Sequence, residues 1–207
     1  MRRLRIAVLV LLSGLPGLLL PVVVDAPAGA TGHAQVRGLI TFEKNAKQPD
    51  DSRVTWRLQH WRDGRWRTVD SADWRAGSGM PGPRGRNSCV HSYGWLPDGT
   101  YHLRQYADYP GNVIKGRAFR LDDKRCPNGT LRHDLFIHTE QGAGNRQCPN
   151  RPGDQPCRWE WPQINDYRSL GCIKMAPADL ADLVWHFHKA FSAGVRYPLD
   201  RVKLVVR

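Results

Sequence analysis

The chain has 207 residues, 41% of them hydrophobic and 24% charged, with a net charge of +12. That is enough apolar material to bury one core, and it excludes wholesale disorder. The length is short for two domains.

The chain opens on Arg2, Arg3 and Arg5. An apolar run from Ile6 to Leu20 follows, broken by Gly14, Pro16 and Gly17, and Ala28-Gly29-Ala30 forms a small-x-small site. This is the pattern of a secretory signal peptide over residues 1–30. A retained membrane anchor is the rival reading, since the apolar stretch extends to Val24. The internal Pro and Gly residues and the Ala-x-Ala site favour cleavage. No Cys follows the run, which argues against a lipoprotein. Loss of three Arg and one Asp with this segment leaves +10 of the original +12. A basic exported chain does not meet genomic nucleic acid. Its acidic partners are expected among anionic wall polymers or head groups, although the charge also serves plain solubility. The chain is expected to act as a monomer.

Residues 31–53 read as an N-terminal lead-in with one strand near Val36 to Phe42, and residues 54–207 as the main domain. Residues 53–70 read as a hairpin about the turn Asp63-Gly64. In that register Trp61 faces Trp66, and Leu58 faces Val69. Trp and Arg alternate here (Trp56, Arg57, Trp61, Arg62, Arg65, Trp66, Arg67). A single-strand nucleic-acid platform would use such a pattern. An amphipathic hairpin with Arg on its wet side explains it adequately, with glycan stacking between the two.

Residues 76–88 are rich in Gly and Pro and read as a loop. Pro97-Asp98-Gly99 reads as the turn of a second hairpin leading into Thr100 to Leu103. Further strands are expected at 116–121 and 133–138. Asn128-Gly129-Thr130 is formally a glycosylation sequon, but a tight turn is the preferred reading. One helix is clear: Pro177 suits its first position, and Leu180, Leu183, Val184, Phe187 and Phe191 share a face. Gly194 can end it. The last strand covers 201–207. The fold expected is mainly β, a sandwich or barrel of short strands with one substantial C-terminal helix.

Five cysteines follow the signal segment, so one is left over after pairing within the chain. Cys148 and Cys157 bracket a stretch without apolar pattern that needs a staple. Cys89 and Cys126 then pair, and Cys172 stays free.

Cys172 lies in Ser169-Leu170-Gly171-Cys172-Ile173-Lys174-Met175. A Cys after a small residue and a Gly can sit on a tight bend, with backbone N–H groups aimed at a developing oxyanion. It needs a base or a positive neighbour to form a thiolate near neutral pH. His138, at the end of the apolar run Leu135-Phe136-Ile137, is the candidate base, and Lys174 adds positive charge. The plain alternative is a buried structural thiol beside a core histidine. An active site is expected to hold a thiol more reactive than free cysteine at pH 7.

Ile137-His138, a spacer, and Ser169-x-Gly171-Cys172-Ile173-Lys174-Met175 together resemble the L,D-transpeptidase catalytic domain. Leu96 to Leu103 resembles that family's Thr-Pro-x-Gly-x-Phe/Tyr segment, and the Gly-rich stretch Ala76–Gly79 falls where the family has a Gly-containing strand end. The resemblance runs from about Val54 to the C-terminus. It implies an exported cysteine transpeptidase acting on peptidoglycan stem peptides, with 3→3 cross-links as product. Cys172 would be the nucleophile and His138 the base, oriented by the Thr139 carbonyl. The N–H groups of Gly171 and Cys172 would form the oxyanion hole. Lys174 would meet a substrate carboxylate or simply face solvent. Ser169, Trp159 and Trp161 would contact substrate.

The chain departs from the family at two places. Leu170 stands where the family has His, which bears on donor specificity. The spacer from His138 to Cys172 is longer, and its extra residues read as a disulfide-stapled flap over the site or as a decorated surface loop. No metal or cofactor is expected. His186 and His188 point apart on one helix, and no Cys-x-x-Cys or His-Glu-x-x-His string is present. Hydrolysis by the same residues, and a catalytically inactive wall-binding module, are the alternatives.

Overall fold

A computed structural model describes residues 35–191 and 198–207. The signal segment 1–30, its Ala28–Ala30 site and Gly194 lie outside the described residues. The strands are β1 (Val36–Glu43), β2 (Ser52–Arg62), β3 (Arg65–Gly77), β4 (Gly99–Pro110), β5 (Lys115–Leu121), β6 (Lys124–Arg125), β7 (Leu131–Arg132), β8 (Phe136–His138), β9 (Ile173–Met175) and β10 (Val202–Val206). A short helix α1 covers Gly82–Arg86, and the long helix α2 covers Pro177–Phe191.

Eight strands close into a barrel in the order β1-β10-β4-β5-β8-β9-β3-β2. The pair β6-β7 forms a separate small ribbon. The fold is therefore mainly β with one substantial helix near the C-terminus, as the strand count implies. Closure removes exposed sheet edges. No helix among the described residues is long and apolar enough to cross a membrane.

Alternation along the strands explains the core. Ile40 and Phe42 of β1, Val54, Trp56 and Leu58 of β2, and Leu204 and Val206 of β10 all turn inward and are buried. α2 lays one face on the core, with Trp185 on the opposite face exposed. Its Phe187 packs edge-on against Trp56 of β2 and Phe119 of β5, with ring centroids 6.5 and 5.5 Å apart. Those strands stand four places apart in an eight-strand ring, so one aromatic bridges opposite walls. Two polar contacts fix the helix on β3: His186 Nδ1 to Asp70 Oδ2 at 2.6 Å, and Trp74 Nε1 to Asp182 Oδ2 at 3.1 Å.

Several sequence expectations need correction. The lead-in 31–53 is not separate, because β1 is a barrel stave between β10 and β2. The hairpin turn and the Trp61–Trp66 pair are as expected, with centroids 5.4 Å apart. Leu58, however, faces Asp70 and not Val69. A bulge between Leu58 and Gln59 slips the register by one residue and turns Val69 out to solvent. Residues 76–88 contain α1. Pro97 to Gly99 turns no hairpin, since β4 pairs with β10 and β5. The strand expected at 133–138 is only β8. Asn128-Gly129 does form the turn between β6 and β7, with Gly129 at φ +87°.

Phe187→Ala removes the bridge across the barrel. It is expected to cost about 3–5 kcal/mol, read as a lower urea midpoint at unchanged slope.

Candidate active site

β8 and β9 are parallel neighbours, with Ile137 opposite Ile173 and His138 opposite Lys174. This pairing brings the end of the His-bearing strand beside the start of the strand that Cys172 precedes. Both residues line one cavity of about 640 Å³. Ser169, Leu170, Arg132 and Lys174 share its wall. Leu170, where the resembling family has His, is exposed there.

The two disulfides are Cys89–Cys126 and Cys148–Cys157, and Cys172 is free. The pairing read from the loop between Cys148 and Cys157 therefore holds.

His138 is buried, and its Nδ1 donates to the Thr139 carbonyl at 3.0 Å. That bond fixes the tautomer and leaves the Nε2 lone pair as the basic site. The Thr139 hydroxyl is buried without a partner. Thr139 thus acts through its backbone. Burial, and then the Lys174 charge, push the His138 pKa down to about 3, so the imidazole is neutral.

Cys172 is half-buried and donates through Sγ to the Asp134 carbonyl at 3.6 Å. Burial pushes its pKa up to about 11, against the pull of a Phe136 backbone hydrogen bond and the charges of Lys174 and Arg132. The resting pair is a neutral thiol and a neutral imidazole.

The bend before Cys172 is held by Ser169 and Arg132. Ser169 Oγ accepts from the N–H groups of Gly79 and Gly171, each at 3.2 Å, and donates to the Cys172 carbonyl at 2.5 Å. Ser169 is buried and braces the bend at the cavity wall. The Gly171 N–H is occupied by that hydroxyl and is not free for an oxyanion. Gly171 serves through its backbone instead. It sits at φ +129°, and a Cβ there would come within 2.1 Å of Arg132 Nη2.

Arg132 is a residue that sequence reading missed. It is fully buried and donates from Nη1 to the carbonyls of Ser88 and Trp95 (3.1 Å for the latter). Its Nη2 donates to Gly94 and Leu170 at 3.0 and 3.2 Å. Burial lowers its pKa, with Tyr101 and Cys172 opposing. No motif spacing marks it. The only clue in the sequence is an Arg placed beside a turn and a cysteine staple.

Lys174 also differs from expectation. It is ion-paired with Glu140, and both side chains are largely buried. It does not face solvent, and its ammonium is engaged by Glu140 at the cavity wall. Trp159 and Trp161 pack edge-on against Tyr167, at 4.9 and 5.4 Å, and Arg75 lies 4.5 Å over Trp161. Trp159 is half-buried and Trp161 exposed, and neither lines the cavity. The spacer still reaches the cavity through Asp154, Ile164, Asn165 and Arg168. It is thus part of the wall, not surface decoration.

No family model matches the chain, and no curated protein matches it. Among solved structures the chain is similar to Bdellovibrio bacteriovorus Bd1075 at 12% identity and a TM-score of 0.45. The similarity covers 83% of this chain and 48% of that one, so this chain spans about half that protein's length.

Two outcomes follow from the site. Alkylation of Cys172, the one free thiol, by iodoacetamide should rise about tenfold per pH unit from neutrality and still be climbing near pH 10. In the denatured chain the midpoint should fall to the free-cysteine range of about 8.5. A native profile that levels off below about pH 9 would contradict the burial argument. Gly171→Ala should lose about 1–3 kcal/mol from the strained φ alone, with a further loss from displacing the Arg132 fork, seen as a lower Tm.

Proposed function

We propose that this chain is an exported cysteine acyltransferase that acts on peptidoglycan stem peptides. The observation that carries the reading is the placement of Cys172 and His138 on adjoining strand ends, facing one cavity, with His138 Nδ1 pinned so that Nε2 is the base. The resemblance of Ser169-x-Gly171-Cys172-Ile173-Lys174-Met175 to the L,D-transpeptidase motif supplies the substrate class. The two disulfides fit an oxidising compartment.

Since both groups rest neutral, the proton leaves Cys172 as the sulfur attacks and is not transferred beforehand. The attack falls on the carbonyl between the third and fourth stem residues. The thiol proton passes to His138 Nε2 as the S–C bond forms. The imidazolium then protonates the amine of D-Ala as the C–N bond breaks, leaving a thioacyl enzyme. A side-chain amine of a neighbouring stem attacks next. Its proton goes to His138, the C–S bond breaks and the thiol is restored. Water in place of the amine gives carboxypeptidase activity. Arg132, close enough to Cys172 to lower its pKa, stabilises negative charge as it develops.

A second reading is a non-catalytic wall-binding protein. The raised thiol pKa and Leu170 at the cavity wall favour it.

Intact mass after incubation with a tetrapeptide stem separates the two. Acyl transfer predicts an adduct of donor minus D-Ala on the wild type and none on Cys172→Ala. His138→Ala should slow its formation about 10²–10⁴-fold. A folded wild type with a free thiol and no adduct would move the assignment to the binding module.

A further inference from the structure

The spacer between His138 and Cys172 gathers four carboxylates. One carboxylate oxygen from each of Glu140, Asp154, Glu160 and Asp166 lies within 4.8 Å of all the others. Two of these residues are buried, Glu140 at 5% exposure and Asp166 at 1%. Each keeps one oxygen, Glu140 Oε2 and Asp166 Oδ1, that is buried and has no hydrogen-bond partner. An unpartnered buried carboxylate oxygen is costly.

The known partners do not balance the charge. Lys174 meets Glu140 through Oε1 alone. Glu160 accepts from the Gln155 N–H at 3.2 Å and from its side-chain amide at 2.7 Å. Asp166 Oδ2 accepts from the N–H groups of Glu160 and Trp161. Lys174–Glu140 is the one ion pair the four acids make among the described residues. Three negative charges are left without a counter-ion.

We propose that Glu140, Asp154, Glu160 and Asp166 bind a calcium ion. The donors are all hard oxygens, which excludes a preference for soft metals. Opposite ligands on a calcium shell of about 2.4 Å radius are about 4.8 Å apart, against about 4.2 Å for magnesium. All four oxygens lie within the 4.8 Å diameter of a calcium shell. Asp154 is exposed and Glu160 half-buried, so water completes the coordination.

The ion would act as a cross-link. Asp154 sits inside the loop closed by Cys148 and Cys157. Glu140 lies two residues beyond His138. Glu160 and Asp166 lie on the segment that returns to Ser169. One ion therefore ties the stapled loop to the end of β8 and holds the Asp154 wall of the cavity in place. None of this depends on the reaction assigned to Cys172. Cation binding without an acyl adduct leaves the site intact, and an adduct without cation binding overturns the site alone.

The test uses the mature chain, stripped with EDTA, at constant ionic strength. Calcium should raise Tm saturably, with an apparent Kd of about 10⁻⁴–10⁻³ M, and magnesium should do so only at higher concentration. Terbium should bind with luminescence sensitised through Trp159 and Trp161, and calcium should displace it. Asp154→Asn changes an exposed side chain. It should leave Tm in EDTA unaltered and weaken calcium at least about tenfold, the loss of one charged ligand. Glu160→Gln should weaken it similarly. The absence of a saturable shift up to about 10 mM calcium, above the weakest extracellular sites, would overturn the proposal. So would equal affinity in both variants, or a shift that potassium chloride reproduces.

Discussion

A guanidinium with no carboxylate partner among the described residues holds the site together. Arg132 is buried, and its neighbours are the carbonyls of Ser88, Gly94, Trp95 and Leu170. A lone buried charge is expensive, but several carbonyl dipoles aimed at it offset much of the desolvation. The two loops that supply them are thereby fixed in relation to each other. One loop runs past Cys89 and the other leads to Cys172. The Cys89–Cys126 bridge anchors the first loop to the β6–β7 ribbon, and that ribbon carries Arg132 itself. Disulfide, ribbon and guanidinium form one closed circuit. Gly171 is then required because the circuit leaves no room for a Cβ.

That circuit sets the electrostatics of the cavity. Arg132 and Lys174 both favour a thiolate, yet burial outweighs them and the thiol stays protonated. Lys174 also disfavours a charged His138. The same cation thus assists departure of the proton from sulfur and resists its arrival on the imidazole. The site does not favour a standing thiolate–imidazolium pair. Glu140 moderates this balance by holding Lys174 through its ammonium group.

How much of this the sequence reveals depends on the range of each interaction. α2 is legible because its apolar face repeats within fifteen residues. The hairpin about Asp63-Gly64 is legible for the same reason, but its bulge is not. The extra residue is accommodated by tertiary packing of Leu58, which no local pattern encodes. The staple Cys148–Cys157 could be read because a loop without apolar residues needs one. The parallel pairing of β8 with β9 could not, since three-residue strands carry too little alternation and lie far apart in the chain. Cys172, His138 and the Thr139 carbonyl came from a motif and its neighbours. Arg132 and the Lys174–Glu140 pair escaped because their partners are backbone carbonyls and a carboxylate at distant positions. Sequence proximity does not reveal that Ser169 braces the Cys172 bend, or that Trp159 and Trp161 stack on Tyr167 away from the cavity.

The long spacer can be understood as a consequence of Lys174. A lysine two residues after Cys172, on a strand buried in the barrel wall, needs an anion close by. Glu140 provides it from the end of β8, but Glu140 is itself buried and needs neighbours of its own. Gln147 reaches back to the Glu140 carbonyl at 2.9 Å, and the Trp159 N–H donates to Gln147 at 2.6 Å. Asp166 receives the backbone N–H groups of Glu160 and Trp161 beside it. Arg158 closes the base of the stapled loop on the Cys148 carbonyl at 2.9 Å. Each bond draws more of the spacer toward the Lys174–Glu140 pair. The spacer is therefore coupled to Cys172 and His138 through a single ammonium group: Lys174 acts on both, and Glu140 holds it.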